Sequence, residues 1–517
     1  MAQDLNAVCA WIRGAAPGGR LASDSRRIRR GDVFFAYPGE AADGRKFIAA
    51  AIENGAAAVV VEERDFVWDD ALNVPHLAVA NLKAKAGAIA HAYYGEPHAG
   101  MFTVGVTGTN GKTSCALWIA QALASLGEKA AVIGTLGVGL VTLDKQGRAE
   151  PDFDVTGYTT PDAVLLAGEL ARLAEAGAGA LAIEVSSIGL VENRTNGMHF
   201  DVAVFTNQTR DHLDYHGDMA SYEAAKLQLF EWPDLKTAVV NLDDPAGVRI
   251  VQHLRANFPA VAVTGYTLQS EAEADAAQPQ LEGVHILRAA SLRSRAAGVE
   301  FQVQSGVESV LARTRLVGHF NVSNALAVLG TLLAKGVALR AAVAAIETLV
   351  PAPGRMQQVG GQDAPLVVID YAHTPDALEK TLVALRQVAQ ERGGQLWCVF
   401  GCGGDRDPGK RPQMGRIAQL ADQAVVTSDN PRSEEPRAII EQVVAGMDPA
   451  GAPWQAIEDR AAAILSAVKH AAKTDVILLA GKGHEPYQEI KGRKNPFSDA
   501  DHAALALTAR VTMMRTN

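Results

Sequence analysis

TVGVTGTNGKTSCALWIAQAL, Thr103 to Leu123, decides how this chain is read. An apolar run from Phe102 to Val106 leads into a glycine-containing turn, and a helical pattern follows through Leu123. Strand, turn and helix in that order are the context a phosphate loop requires. Glycines let backbone amides approach phosphate oxygens, and the helix N-terminus adds a favourable dipole. The loop is made of Thr107, Gly108, Thr109, Asn110, Gly111, Lys112 and Thr113. Lys112 is expected to reach the terminal phosphates of ATP and the Thr113 hydroxyl to ligate Mg²⁺. The general pattern has a glycine six places before the lysine, and here that residue is Val106. A turn that merely opens a helix would explain fewer of these coincident features.

Outward from the loop, apolar runs alternate with helical patterns. Ala130 to Ile133, Ala180 to Val185, Val202 to Phe205 and Ala238 to Leu242 read as buried strands. Such alternation predicts a mostly parallel sheet covered by helices. Between Val284 and Val317, VEFQVQ and VLARTRL alternate apolar with polar, which predicts an appended antiparallel hairpin. PAPGR, Pro351 to Arg355, reads as a hinge. Beyond it, Leu366 to Ile369, Leu396 to Phe400, Ala424 to Thr427 and Val476 to Leu479 are strand candidates separated by helices. The expected fold is α/β in three domains. Residues 1–100 form a small N-terminal α/β domain, 101–350 a central ATPase-like domain with a mostly parallel sheet, and 351–517 a C-terminal Rossmann-like domain.

Composition limits the function classes. The chain has 517 residues, 48% hydrophobic and 21% charged, with a formal net charge of −10. Such an acidic chain has no bulk attraction for nucleic acid or an anionic membrane, so an anionic ligand needs local basic groups. The four cysteines make no CxxC pair and no metal spacing, and read as reduced thiols. No basic, apolar leader opens the chain, and no uncharged run reaches the roughly 20 residues of a membrane span. A cytoplasmic, monomeric protein without membrane insertion or nucleic-acid partner is expected.

Several charged groups fall at strand ends, where ligands bind in open α/β sheets. Glu184 follows Leu181-Ala182-Ile183 on a buried strand and needs a partner or a metal. Asn207, Arg210, Asp211 and His212 follow the next strand; Asp211, Asp214 and Asp218 read as a solvated acidic loop. SYEAAKLQLFEW, Ser221 to Trp232, reads as an amphipathic helix in which Lys226 would ordinarily be exposed. In the C-terminal part, DYAHTPD, GCGGDRDPGKRP, SDNPRSEEP and AGKGHE lie at the ends of four strand candidates. Four such loops converging on one sheet edge predict a binding site.

The shortened TGTNGKT loop resembles that of the Mur ligase superfamily, which also includes folylpolyglutamate synthetase, and the resemblance can be followed through most of the chain. It implies an ATP-dependent ligase forming a carbon–nitrogen bond through an acyl phosphate, with Lys112, Lys226 and His212 in the catalytic machinery. Thr113, Glu184, His212 and a carbamylated Lys226 would hold two Mg²⁺ ions. Asn324 rather than Asn321, which suits a helix cap, would contact the nucleotide base, and Arg355 and Asp370 would reach ATP across the hinge. His373 is a further candidate.

In the same family the DNPR run marks members that take meso-diaminopimelate rather than lysine. This implies amino-acid contacts by Arg406, Asp429, Asn430, Pro431, Arg432, Gly481 and Glu485, with the two arginines clamping a carboxylate. Ser23 and Ser25 in SDSRRIRRGDVFFA, together with Thr159, Thr160, Ser186 and Arg194, match contacts to UDP-MurNAc-L-Ala-D-Glu, and Glu192 stands at a further contact position. Arg26, Arg27, Arg29 and Arg30 suit a diphosphate or form an ordinary solvated charge run. Tyr158, Ile188 and Glu192 stand where relatives carry Asn, His and Gln. The expected activity is addition of meso-diaminopimelate to the UDP-linked dipeptide in peptidoglycan precursor synthesis. A sister ligase or a regulatory nucleotide-binding module are the other readings.

Overall fold

The computed structural model describes residues 5–39, 42–143, 149–270, 283–295, 298–361 and 363–516. Three sheets organise the chain. The first joins β1 (Leu21–Ala22), β2 (Val33–Ala36), β3 (Ala58–Glu62) and β4 (His76–Val79) in sequence order, all parallel. Its middle strands are buried at every residue and apolar up to the closing Glu62, because both faces are covered, as buried parallel strands require; the Glu62 carboxylate accepts from the Asn81 and Leu82 amides.

The second sheet has eleven strands. They are β5 (Phe102–Thr107), β6 (Ala130–Gly134), β7 (Gly137–Leu143), β8 (Ala149–Asp154), β9 (Ala180–Glu184), β10 (Val202–Phe205), β11 (Thr237–Asn241), β12 (Ala262–Thr267), β13 (His285–Arg295), β14 (Gly298–Ser305) and β15 (Glu308–Thr314). Their order is β15-β14-β13-β12-β11-β10-β5-β9-β6-β7-β8. Neighbours pair parallel from β13 through β6. Antiparallel strands finish both edges: β14 and β15 on one side, as the alternating sequence predicts, and β7 and β8 on the other. The second edge escapes the sequence reading, because GVGLVTL shows no strict alternation.

The Lys112–Ser125 helix leaves β5 and is buried along nearly its whole length. It is apolar all round because the sheet lies on one side and the His319–Ala334 helix on the other.

The third sheet contains β16 (Gln357–Gly360), β17 (Leu366–Asp370), β18 (Leu396–Phe400), β19 (Gln423–Val426), β20 (Trp454–Ala456) and β21 (Val476–Ala480), in the order β16-β17-β21-β18-β19-β20. All pairs are parallel except β16 with β17. The Arg460 guanidinium and the Asp499 carboxylate, both fully buried, clamp the last helix to this sheet with two bonds of 2.7 Å.

Two sequence expectations are corrected here. The helix expected over 221–232 runs Met219–Leu227, starting at an Asp218 cap, and ends in turns before Trp232. Asn321 is not a cap. Gly318 precedes the helix, and Asn321 instead donates through Nδ2 to the Val317 carbonyl. Among the described residues, no helix is long and apolar enough to cross a membrane.

Candidate active site

β5 lies between β10 and β9, so the loops after these three strands meet at one point. The phosphate loop leaves β5. Gly111 has φ +87° and faces Asn324, whose Oδ1 lies 2.6 Å from where a Cβ would stand. A side chain there would close the gap between loop and helix. Asn207, after β10, accepts a bond from the Asn110 amide at 2.9 Å and donates to its carbonyl. Lys112 Nζ caps the loop by donating to the carbonyls of Gly108 and Thr109 at 2.8 and 2.9 Å, and burial pulls its pKa down.

Glu184 ends β9 and is buried. Its carboxylate accepts from the Thr113 hydroxyl at 3.0 Å, the Thr135 amide at 2.8 Å and the Thr135 hydroxyl at 3.2 Å. A buried carboxylate beside a threonine hydroxyl is an oxygen-donor set suited to a hard divalent cation. The residues present therefore fit Mg²⁺.

Lys226 is the most unusual group in the site. It is 1% exposed, and its Nζ has no hydrogen-bond partner. The nitrogen lies over the Tyr222 ring, 2.7 Å from the centroid. Burial, aided by the charge of Lys112, pulls its pKa down to about 6. The lysine is thus largely neutral and nucleophilic at neutral pH. His212 stacks edge-on to the same Tyr222 ring, has φ +52°, and is likewise depressed by burial. Asp211 does not behave as a solvated acid: neighbouring His212 and His373 and the charge of Lys112 outweigh its burial and hold its carboxyl below the ordinary range.

The third domain reaches into this loop. Arg355 Nη2 donates to Thr113 Oγ1 at 3.3 Å, with its guanidinium 4.5 Å from the Tyr371 ring centroid. Asp376 accepts a bond from Asn110, and Asp370, raised by burial, accepts from the Met356 amide. A cavity of about 590 Å³ opens between the domains, lined by Asn110, Gly111, Asn324, Arg355 and Asp370 among others.

A second cavity, about 800 Å³, lies between the Arg210–Tyr215 loop and the loops ending β17, β18, β19 and β21. Arg406, Asp429, Asn430, Arg432, Gly481 and Glu485 all line it. Asn430 Nδ2 donates to Glu485 Oε2 at 2.8 Å. Gly481 has φ +108°, and a Cβ there would fall 2.5 Å from Asp429 Oδ2. Arg432, at φ +52°, donates to the Gly404 carbonyl and lies 3.7 Å from Glu489. Beneath them Arg411 holds Glu434 bidentately, tying the 403–411 and 430–434 loops together.

Around the end of β9, Thr159 meets Thr135 hydroxyl to hydroxyl at 3.0 Å, Thr160 bonds Ser186, and Arg194 donates to the Thr160 carbonyl. Ser23 joins this group from the first domain by donating to Asp162 at 2.7 Å. Glu192 is engaged by Lys83 and Tyr215. Ser25 is buried, and its carbonyl accepts from Asn54. Arg26 is mostly exposed and paired with Asp24, so the arginine cluster is not four uncommitted cations.

Family models place the Mur ligase family catalytic domain at residues 20–94, the Mur ligase middle domain at 106–332 and the Mur ligase glutamate ligase domain at 354–483. A protein of Janthinobacterium sp. (strain Marseille) named UDP-N-acetylmuramoyl-L-alanyl-D-glutamate–2,6-diaminopimelate ligase is 60% identical over 98% of this chain and 97% of its own length. This chain belongs to the Mur ligase family. A protein of the same name from Ralstonia nicotianae is 50% identical over 99% of this chain and 97% of its own length. A solved structure, again of an enzyme of that name, superposes with a TM-score of 0.64 at 35% identity over 95% of each chain. As a Mur ligase the protein is a ligase that forms carbon–nitrogen bonds with ATP.

Two groups of this Mur ligase site escape sequence reasoning. Thr135 supplies Glu184 with two hydrogen bonds but sits in an unremarkable GTLG turn. Lys482 is completely buried and bridges Asn430 Oδ1 at 3.0 Å and Glu485 Oε2 at 3.1 Å. It stands inside AGKGHE, and a lysine in the shortest strand-end loop of the four is the signal that could have found it.

Proposed function

We propose that this Mur ligase adds meso-2,6-diaminopimelate to UDP-MurNAc-L-Ala-D-Glu in cytoplasmic peptidoglycan precursor synthesis. The observation that carries the reading is the 800 Å³ cavity, in which two arginines, Arg406 and Arg432, share one chamber with Asp429, Asn430 and Glu485. Diaminopimelate has two amino-acid heads. An amine must face the reacting carboxylate while the far head needs a guanidinium for its carboxylate and acids for its ammonium. In this reading residues 1–100 hold the UDP-sugar, 101–350 ATP and 351–517 the amino acid. The group formed by Ser23, Thr159, Thr160, Ser186 and Arg194 supports the dipeptide's position beside Glu184.

The D-Glu side-chain carboxylate attacks the γ-phosphorus of ATP, the bond to the bridging oxygen breaks, and ADP leaves. The diaminopimelate amine then attacks the acyl carbonyl and gives up a proton, and the tetrahedral intermediate expels phosphate. Lys112 exchanges the carbonyls of Gly108 and Thr109 for phosphate oxygens as charge builds there. Arg355 orients ATP across the hinge, and Asn324 faces the base-side cavity. Bound by Thr113, Glu184, His212 and Lys226, Mg²⁺ would supply charge neutralisation on the phosphates. Neutral Lys226 adds CO₂ to give a carbamate and a proton, converting a buried amine into an anionic ligand. Phosphate release that requires both the UDP-dipeptide and diaminopimelate tests the proposal; release with ATP alone, or with lysine as readily as with diaminopimelate, overturns it.

A further inference from the structure

The geometry points to a second cation site, unrelated to ATP: His91, Glu96 and His98 form a three-donor pocket for a zinc-class divalent ion where the first domain joins the second. The sequence HAYYGEPH, residues 91–98, ends the Leu82–Tyr93 helix and turns into β5. Among the described residues this is the one group of three histidines, cysteines or acids whose possible ligand atoms all lie within 4.8 Å of one another.

The decisive member is His91. It is fully buried, and neither ring nitrogen has a hydrogen-bond partner. A buried imidazole with two unmet nitrogens is costly, and such groups are rare in folded proteins. The ring cannot turn away to find a partner. It packs edge-on to His98, with centroids 4.6 Å apart, and a Cβ on Gly197 would fall 2.8 Å from its Cδ2. Burial pushes its pKa down to about 3, so the ring is neutral and keeps a lone pair for a ligand. Glu96 Oε2 lies 3.3 Å from His98 Nε2, and Glu96 is brought there by a left-handed backbone, φ +55°, after Gly95. His91 and His98 are buried whereas Glu96 is exposed, which leaves one side open to solvent and to an entering ion.

The surroundings have the outer shell that metal-ligating histidines use. His98 Nδ1 is 2.8 Å from His199 Nδ1, and His199 Nε2 is 3.4 Å from Asp201, giving a carboxylate–imidazole–imidazole chain. Asp201 is fixed in turn by the Thr103 amide and Lys236. His98 Nε2 donates to the Gly197 carbonyl at 2.9 Å, so an ion bound at that nitrogen displaces the proton and requires the Gly197 carbonyl to swing aside. Two imidazoles and one carboxylate with an open position match the donor preferences of Zn²⁺ better than those of Mg²⁺. Because His91, Glu96 and His98 belong to the first domain and its connection, while Gly197, His199 and Asp201 belong to the second, the ion would fasten the two together.

The test uses the full chain stripped of metal with a chelator, kept in excess Mg²⁺, and titrated with Zn²⁺ by calorimetry; Co²⁺ serves as the spectroscopic probe. The expected result is one equivalent of Zn²⁺ bound, a rise in the unfolding temperature, and a four-coordinate visible spectrum with Co²⁺. Glu96→Gln, on the exposed side and so compatible with folding, weakens that binding by at least about tenfold, and His91→Gln does the same. Turnover of Mg-ATP is unchanged in Glu96→Gln. Zn²⁺ affinity and Co²⁺ spectrum that are the same in the Glu96→Gln variant, or no stoichiometric Zn²⁺ binding in the unaltered protein, overturns the proposal.

Discussion

Replacing Lys226 with methionine should make the protein more stable and inactive. Its ammonium is disfavoured in the fold, with a pKa of about 6 in place of 10.5, chiefly through burial. At about pH 7.5 that leaves the side chain mostly neutral, whereas an ordinary lysine is almost wholly charged. The sign follows from proton counting. Between about pH 6 and pH 10.5 the unfolded chain holds a proton on Lys226 that the folded chain lacks, so stability rises with pH across that window. Below pH 6 both states are protonated and the full penalty remains.

At about pH 7.5 three units of that window are still unrealised, on the order of 4 kcal/mol. Lys226→Met removes the group that bears the penalty. In CO₂-free, Mg²⁺-free buffer its urea midpoint should exceed that of the unaltered protein, and the difference should shrink as pH rises toward 10. Ligase activity should fall by at least about 100-fold, since a carbamate can no longer form. In carbon-13 bicarbonate the unaltered protein should show a carbamate resonance that the variant lacks. Acetate should partly rescue Lys226→Ala. A variant that is active, or one that is less stable with an unchanged pH profile, refutes the reasoning.

Other outcomes follow from the same geometry. If the proposed function holds, Arg432→Ala should raise the KM for diaminopimelate by about 10- to 100-fold while leaving the KM for ATP within about twofold, because the guanidinium is lost from the 800 Å³ cavity and not from the one beside Asn324. Glu184→Gln keeps the size of the side chain but removes the charge facing Thr113 and Thr135, so kcat should fall by about 100-fold or more in steady-state assays with little change in unfolding temperature. Asp499→Ala strands a completely buried Arg460 and should cost about 3 to 5 kcal/mol in urea unfolding of the third domain, with Asp499→Asn costing less.

Most of the buried strands were legible because they are unbroken apolar runs between turn signals. Phe102–Thr107, Ala180–Glu184, Leu396–Phe400 and Val476–Ala480 are each covered on both faces, and apolar residues dominate their sequences, with Glu184 the charged exception. The edges were not. Trp454–Ala456 is a strand exposed at every residue, and Gln357–Gly360 alternates only because one side faces water. Such segments are defined by the neighbour that they pair with, which local sequence does not encode. The site divides in the same way. Residues inside recognisable strand-end runs, such as Lys112, Glu184 and Arg432, could be named from sequence. The Arg355–Thr113 contact spans 242 positions and depends on how two domains dock. Burial of Lys226 could not be read from its helix, since its amphipathic setting looks like any surface lysine until Tyr222, tied through its hydroxyl to Thr109 of the phosphate loop, lies against it.

Under the proposed function this ligase selects an amino acid with two charged heads, and phosphate release reads that selectivity. With ATP, Mg²⁺ and UDP-MurNAc-L-Ala-D-Glu present, meso-diaminopimelate should drive turnover at concentrations where lysine drives little, and Arg432→Ala should narrow that gap. Equal rates with lysine, or a gap unaffected by Arg432→Ala, would contradict the account.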